Sequence, residues 1–195
     1  MTLEPIVLEG QHVRLEPLSF EHLTDLAKVA FDPEIWRWTS ERAMSLGELR
    51  AYVERALAAS LTGSVLPFAT VARRVGMAVG STRFANFDAL NRRGAIGWTW
   101  LGRDWQRTAI NTEAKYLMLT HAFEKLGCVR VELRTDVLNE RSRAAIRRLG
   151  ASEEGVLRKH AITSTGRVRD DVYYSVVDDE WPAVKAKLEA RIARG

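Results

Sequence analysis

Polar and apolar positions along this chain switch between two periods, and the switches mark its elements. From Val129, the residues Val131, Leu133 and Thr135 alternate with Arg130, Glu132, Arg134 and Asp136, which predicts a half-buried strand over Cys128–Leu138. Upstream, Ile110, Ala114, Leu117, His121 and Ala122 recur at three- and four-residue steps. That is the helical period, and Gly127, able to take the left-handed conformation, ends the helix. Ala95–Leu101 reads as an apolar strand closed by a turn at Gly102–Asp104. A short helix follows the second strand, capped by Asn139 and stopped at Gly150.

The same reading extends in both directions. Val13–Leu15 alternates as a strand closed by Pro17, and a helix starts after Ser19 with Leu23, Leu26 and Ala27 as its apolar stripe. Residues 31–40 form an aromatic loop, and Ser45 caps a helix through Ser60. Pro67–Ala72 and Ala78–Phe84 are strands joined by a turn at Arg73–Gly76, and Asn86–Gly94 is a polar loop. Gly155–Ala161 and Asp171–Val177 are strands around a turn at Thr163–Gly166. Trp181 and Pro182 open a C-terminal helix with Val184, Leu188 and Ile192 on one face, placed to pack on the domain or meet a partner. One domain over residues 1–195 is expected, with no linker or repeat.

Composition narrows the class. Of 195 residues, 46% are hydrophobic and 28% charged, which suits a soluble chain with a substantial core. No apolar run approaches the roughly 18 residues of a membrane span. The N-terminus lacks the basic segment of a signal peptide, and Cys128 is the only cysteine, so a cytoplasmic protein without internal disulfides is expected. Cys128 opens a buried strand and is expected to pack rather than react. The net charge of +4 favours anionic partners weakly. No basic blocks interleave with aromatics, so direct nucleic-acid readout is not expected. Four scattered histidines and one cysteine do not make a metal-ligand set.

The chemistry concentrates at the junction Trp105-Gln106-Arg107-Thr108-Ala109-Ile110-Asn111-Thr112. It is a strand–turn–helix start of small or polar residues. Unpaired N–H groups and the positive end of the helix dipole suit a phosphate there. Arg103, Arg107 and Lys115 add positive charge nearby. Any α/β protein contains such junctions, so these features alone favour an ordinary αβ junction over an anion site.

The ordered set of motifs resembles the GNAT acetyltransferases. Their core runs strand, (Gln/Arg)-x-x-Gly-x-(Gly/Ala), helix, strand, Asn-x-x-Ser, helix, Gly. HVRLEPLSFEHLTDL, FATV…VGSTRF and GASEEGVLRKH…RDDVYYSVVDDEW fit in order around it. Within the family the chain looks most like the branch that acetylates ribosomal-protein N-termini. The loop departs from the pattern, with Ala109 and Asn111 where small residues, mostly glycines, are usual.

The resemblance implies an α/β fold with a mixed sheet of about seven strands, splayed between the fourth, Ala95–Leu101, and the fifth, Cys128–Leu138. It implies acetyl-CoA as cosubstrate, with the pantetheine arm bonding backbone near Trp100 and Leu101. The pyrophosphate is then expected on the loop of Gln106, Arg107, Thr108, Ala109, Ile110, Asn111 and Thr112. Asn139 is expected as helix cap, pantetheine ligand or both, and Arg143 and Arg147 as candidates for the CoA 3′-phosphate. Many relatives place a tyrosine acid where this chain has Ile146, and Ser142 matches the serine that the ribosomal-protein branch uses instead. His160 is a candidate base, with Glu132, Glu153 and Glu154 as alternatives. Trp36 and Trp38 either line the acceptor pocket or fill the core, and His121 is expected in the core. An N-acetyltransferase acting on a protein α-amine is the leading expectation, as monomer or homodimer. A small-amine acetyltransferase and a non-catalytic CoA-binding or ribosome-associated module stay open beside it.

Overall fold

In the computed structural model, which describes residues 3–194, eight strands form one sheet in the order β1-β2-β3-β4-β5-β6-β8-β7. They are β1 (Leu8–Glu9), β2 (Val13–Pro17), β3 (Leu66–Ala72), β4 (Met77–Asp88), β5 (Arg93–Leu101), β6 (Arg130–Asp136), β7 (Ser152–Ile162) and β8 (Val168–Val177). Helices are α1 (Leu23–Ala30), α2 (Pro33–Trp36), α3 (Leu46–Ser60), α4 (Ala109–Thr120), α5 (Glu140–Leu149) and α6 (Trp181–Ile192).

All neighbouring strands pair antiparallel except β5 and β6, which run parallel. That pairing covers only Arg93–Ala95 against Arg130–Glu132. Beyond it β5 continues to Leu101 and β6 to Asp136 without meeting, so the sheet opens as the resemblance implies.

Two apolar clusters sandwich the sheet. Ile110, Ala114 and Met118 of α4, Ile146 and Leu149 of α5 and Leu188 of α6 pack with Phe84, Ile96, Leu133 and Tyr174. On the other face Leu26 of α1, Trp36 of α2 and Tyr52 and Val53 of α3 cover Ala69, Ala78 and Trp100. Beyond β5 that second face turns polar: Glu132 lies opposite Ser175, and Arg134 opposite Tyr173.

The structure corrects several boundaries. Asn86–Gly94 is not a loop throughout, because β4 runs to Asp88 and β5 starts at Arg93, leaving a tight hairpin. Positive φ at Asn86 (51°) twists β4 without ending it, and positive φ at Arg92 (50°) turns the chain into β5. The two-residue β1 adds an eighth strand to the seven expected. Residues 31–40 contain α2, capped by Asp32, whose side chain accepts the Glu34 N–H. α4 continues through a wider π turn at His121–Lys125 before Gly127 (φ 60°). His121 is only half-buried there, its ring 6.1 Å from that of Phe84. α6 packs on α4: Trp181 stacks on Phe123 at 5.3 Å, and the Tyr116 hydroxyl donates to Glu189.

Candidate active site

The open wedge begins at a bulge. Between Ser81 and Arg83 the β4–β5 register shifts, and Trp98 takes φ 48°, a conformation rare for a bulky residue. Strained backbone of this kind concentrates where a ligand is gripped. Gly80 lies opposite Leu101, and a Cβ there would come 2.1 Å from the Trp100 carbonyl oxygen, so β4 can approach this end of β5 only through glycine. The Trp100 and Leu101 side chains are buried, the indole donating to the Tyr52 hydroxyl at 3.2 Å. What they can offer a ligand is backbone.

The loop after β5 is built to leave N–H groups open. Gln106 folds back, its Nε2 donating to the Leu101 carbonyl (2.9 Å), while its Oε1 accepts from Arg141 Nη1 (2.6 Å). Arg107 sits at φ 62°, which reverses the chain. Thr108 is the N-cap of α4: its hydroxyl donates to the Trp105 carbonyl and accepts weakly from the Ile110 N–H. Ala109, Asn111 and Thr112 thus begin a helix whose first N–H groups have no carbonyl one turn back. Arg141, on the facing helix, carries no mark of this role in the sequence. It clips α5 to the loop, so the two banks of the wedge are joined at their outer end.

The charges expected around the loop are largely engaged elsewhere. Arg103 pairs with Asp32 at 2.8 Å. Lys115 is buried beneath the sheet, its Nζ donating to Thr82 (2.8 Å) and Thr99 (2.7 Å), and burial holds its amine down at about 7. Arg107 remains exposed. A cleft of about 500 Å³ beside the α4 start is lined by His12, Arg73, Arg74, Trp105, Thr108 and Ile110.

On the β6 side, Asn139 caps α5 by accepting the Ser142 N–H at 3.1 Å. The Ser142 hydroxyl itself makes no hydrogen bond among the described residues, so capping does not occupy it. Arg143 faces inward. It donates to the Tyr174 hydroxyl, the Val137 carbonyl and Glu140, bracing α5 on the sheet rather than reaching out for a 3′-phosphate. Arg147 is likewise held by Glu153 at 2.9 Å.

The polar face beyond the wedge carries a connected row. Arg134 Cζ lies 5.9 Å from the ring centres of both Trp98 and Tyr173, and Arg134 Nη1 donates to the Tyr173 hydroxyl. His160 stands edge-on to Tyr173, its Nε2 3.4 Å from that hydroxyl and its Nδ1 2.8 Å from Asp171 Oδ2. Asp171 is fully buried, with Arg169 Nη2 2.5 Å from its other oxygen. Glu153 and Glu154 are tied to Arg147 and to Arg130 and Ser175, and Glu132 to Arg130, leaving His160 as the candidate base, its Nε2 held only by the long contact with the Tyr173 hydroxyl.

The two tryptophans separate. Trp36 is core, packed 5.1 Å from Trp100 and donating to the Ala30 carbonyl. Trp38 lies over the β7–β8 turn, with Arg167 5.5 Å from its ring and Arg169 donating to its carbonyl. Cys128 is buried, and burial pushes its thiol up to about 11, so it is a packing residue.

Comparison with known proteins agrees with this geometry. The acetyltransferase (GNAT) domain model matches residues 12–152. A Bacillus subtilis (strain 168) protein named "Putative ribosomal N-acetyltransferase YdaF" is 36% identical over 110 residues, 56% of this chain and 59% of the relative, so the chain spans about three fifths of that relative's length. The crystal structure of a "putative acetyltransferase" from T. thermophilus superposes with a TM-score of 0.90 at 39% identity, covering 98% of this chain and 99% of that one. Mycobacterium smegmatis RimJ, solved in complex with CoA-disulfide, shares the fold with a TM-score of 0.80 at 22% identity, covering 98% and 94%. With its splayed β5 and β6, its open helix start and a family match over most of its length, the chain belongs to the GNAT acetyltransferase family, whose members draw the acetyl group from acetyl-CoA.

Proposed function

We propose that this protein transfers an acetyl group directly from acetyl-CoA to the α-amine of a protein N-terminus, with a ribosomal protein in the cytoplasm as the leading acceptor. The observation that carries the reading is the wedge itself. It has backbone at the end of β5 on one bank, the unbonded Ser142 hydroxyl on the other, and the His160–Asp171 pair on the adjoining face. The Bacillus subtilis relative, named as a putative ribosomal N-acetyltransferase, supports the acceptor class.

Bound acetyl-CoA supplies a thioester carbonyl open to an amine. The chain's residues do the rest. N–H groups from Ala109 to Thr112 hold the pyrophosphate, with Thr108 and Gln106 fixing the loop. Backbone N–H groups near Trp98 and Trp100 polarise the carbonyl oxygen. Asp171 accepts from His160 Nδ1–H, which makes Nε2 the basic nitrogen; it takes the amine proton in place of its long contact with the Tyr173 hydroxyl, and the Ser142 hydroxyl protonates the departing sulfur.

The acceptor follows from the cost of making a neutral amine. An α-amine, with a pKa of about 7.7–8.0, costs about 0.5 kcal/mol to deprotonate at neutral pH, whereas lysine at about 10.4 costs about 4. A half-exposed histidine suits the first task. Peptides with free N-termini and N-blocked peptides containing lysine, incubated with acetyl-CoA and followed by mass spectrometry, test this. Free termini should be acetylated much faster. Equal turnover of blocked lysine peptides would overturn the α-amine reading, and turnover of small amines alone would replace it.

A further inference from the structure

Arg83 is the least explained charge in the molecule. It lies in β4 with 4% of its surface exposed, and its Nε and Nη2 are buried without a hydrogen-bond partner. It forms no ion pair among the described residues. Its guanidinium rests 4.8 Å from the Tyr52 ring centre and 5.5 Å from that of Trp98. Two aromatic faces compensate a desolvated cation only in part, and the planar fork of donors still lacks its acceptor.

Carboxylates elsewhere on this face are already taken. Glu132 holds Arg130, Asp136 holds Arg167, and Asp171 lies against Arg169 and His160. Arg83 and Arg134 therefore flank Trp98 with two positive charges that no carboxylate of the described residues neutralises. Space is available beside them. Gly97 sits directly opposite Arg83 in the β4–β5 ladder, and a Cβ there would meet no atom within 4 Å. Trp98, 38% exposed at its bulge, stands beside this space.

We infer that Arg83, reached through the space over Gly97, binds a carboxylate of the acceptor, so that the enzyme selects N-termini with an acidic side chain close behind the α-amine. The inference rests on the acceptor reading above and names its substrate class. An extended chain advances about 3.3–3.6 Å per residue. Acceptor residues two and three therefore lie within about 7 Å of the α-amine along the chain, and either can carry the carboxylate. A bidentate, charge-assisted pair with arginine would complete the unused donors.

The test uses the full chain with pairs of free-terminus hexapeptides that differ only by Glu against Gln at position two or three. The wild type should favour the Glu peptide by about tenfold or more in kcat/KM, mainly through KM, because a buried fork left unpaired penalises the neutral peptide. Arg83→Gln should erase the preference, and Arg83→Lys should keep part of it. Gly97→Val fills the space without touching the charge, and should also erase the preference. Calorimetric affinity for acetyl-CoA should be unchanged in each variant. Absence of preference in the wild type, or a preference that survives Arg83→Gln, overturns the inference. So does an equal fall on both peptides, which would make Arg83 a packing group. Should Arg83→Gln lose acetyl-CoA binding, Gly97→Val decides alone, a surviving preference overturning the inference. If no peptide is acetylated but free glutamate is, and Arg83→Gln abolishes that, the N-terminal reading falls while the carboxylate site stands.

Discussion

Glu113 Oε2 accepts the backbone N–H of Val13 at 2.8 Å, tying the first long strand to the second turn of the helix that follows the Gln106–Thr108 loop. The same carboxylate accepts from His12 (2.6 Å) and Gln11 (2.7 Å). A Cβ on Gly10 would come 2.4 Å from Glu113 Cδ, so the turn before β2 is shaped around this side chain. Glu113→Gln sets an amide against three donors and should cost about 3 kcal/mol in a urea titration. Gly10→Ala should act on the same contact, and the double variant should lose less than the sum. A cost under about 1 kcal/mol would show the turn holding itself.

Ala109 is the first residue of α4, where its side chain would confront a pyrophosphate bound as proposed. Ala109→Glu adds bulk and a negative charge there, so calorimetry should find acetyl-CoA binding abolished while the far-ultraviolet spectrum is kept. Unchanged affinity would move the pyrophosphate off this loop.

In the proposed reaction Ser142 and His160 divide the proton transfers. Ser142→Ala should lower kcat by about 10²–10⁴-fold with little change in KM for acetyl-CoA, and with stability kept because Asn139 bonds only the backbone of residue 142. His160→Gln should lower kcat with little change in acetyl-CoA affinity. A variant of either residue with wild-type kcat would strip it of its role.

Lys115 makes stability depend on pH. Its folded amine sits at about 7, against 10.5 ordinarily. Between those values the unfolded chain binds a proton that the folded chain does not. Stability therefore rises with pH from about 7 to 10.5, by up to about 1.4 kcal/mol per unit, and is flat with respect to this group below 7. Lys115→Met removes the effect, so the gap between variant and wild type in melting temperature should narrow as pH is raised. A gap independent of pH would mean that the amine is charged in the fold.

Local chemistry made much of this legible in the sequence. Asn139 and Gly150 bound α5 as their cap preferences dictate, and the alternation from Val129 to Thr135 lies within or beside β6. What escaped was long-range or compensated locally. The polar run Asn86–Arg93 carries turn residues, yet pairing between Ala85 and Ala95 and between Asp88 and Arg93 holds it in the hairpin. Lys115 reads as a surface charge until its helix is laid on Thr82 and Thr99. Arg83 sits in an apolar strand with no sequence mark of what it faces, and Glu113 finds its partners about a hundred residues away. The His160–Asp171 pair exists only because β7 and β8 form a hairpin whose register slips between Leu157 and Ala161.

The three-position ladder between β5 and β6 has a consequence for the life of the protein in a cell. Its strands fall into two antiparallel blocks, β1–β5 and β6–β8–β7, stitched by very little backbone. If the amide-bearing arm of acetyl-CoA lies in the wedge as proposed, it takes the place of a further rung and acts as a stand-in strand. At a hundredfold excess over its dissociation constant it would add about 2.7 kcal/mol to folding. The durability of the enzyme would then follow the supply of activated acetate, with a starved cell holding a looser, more readily degraded pool than a fed one.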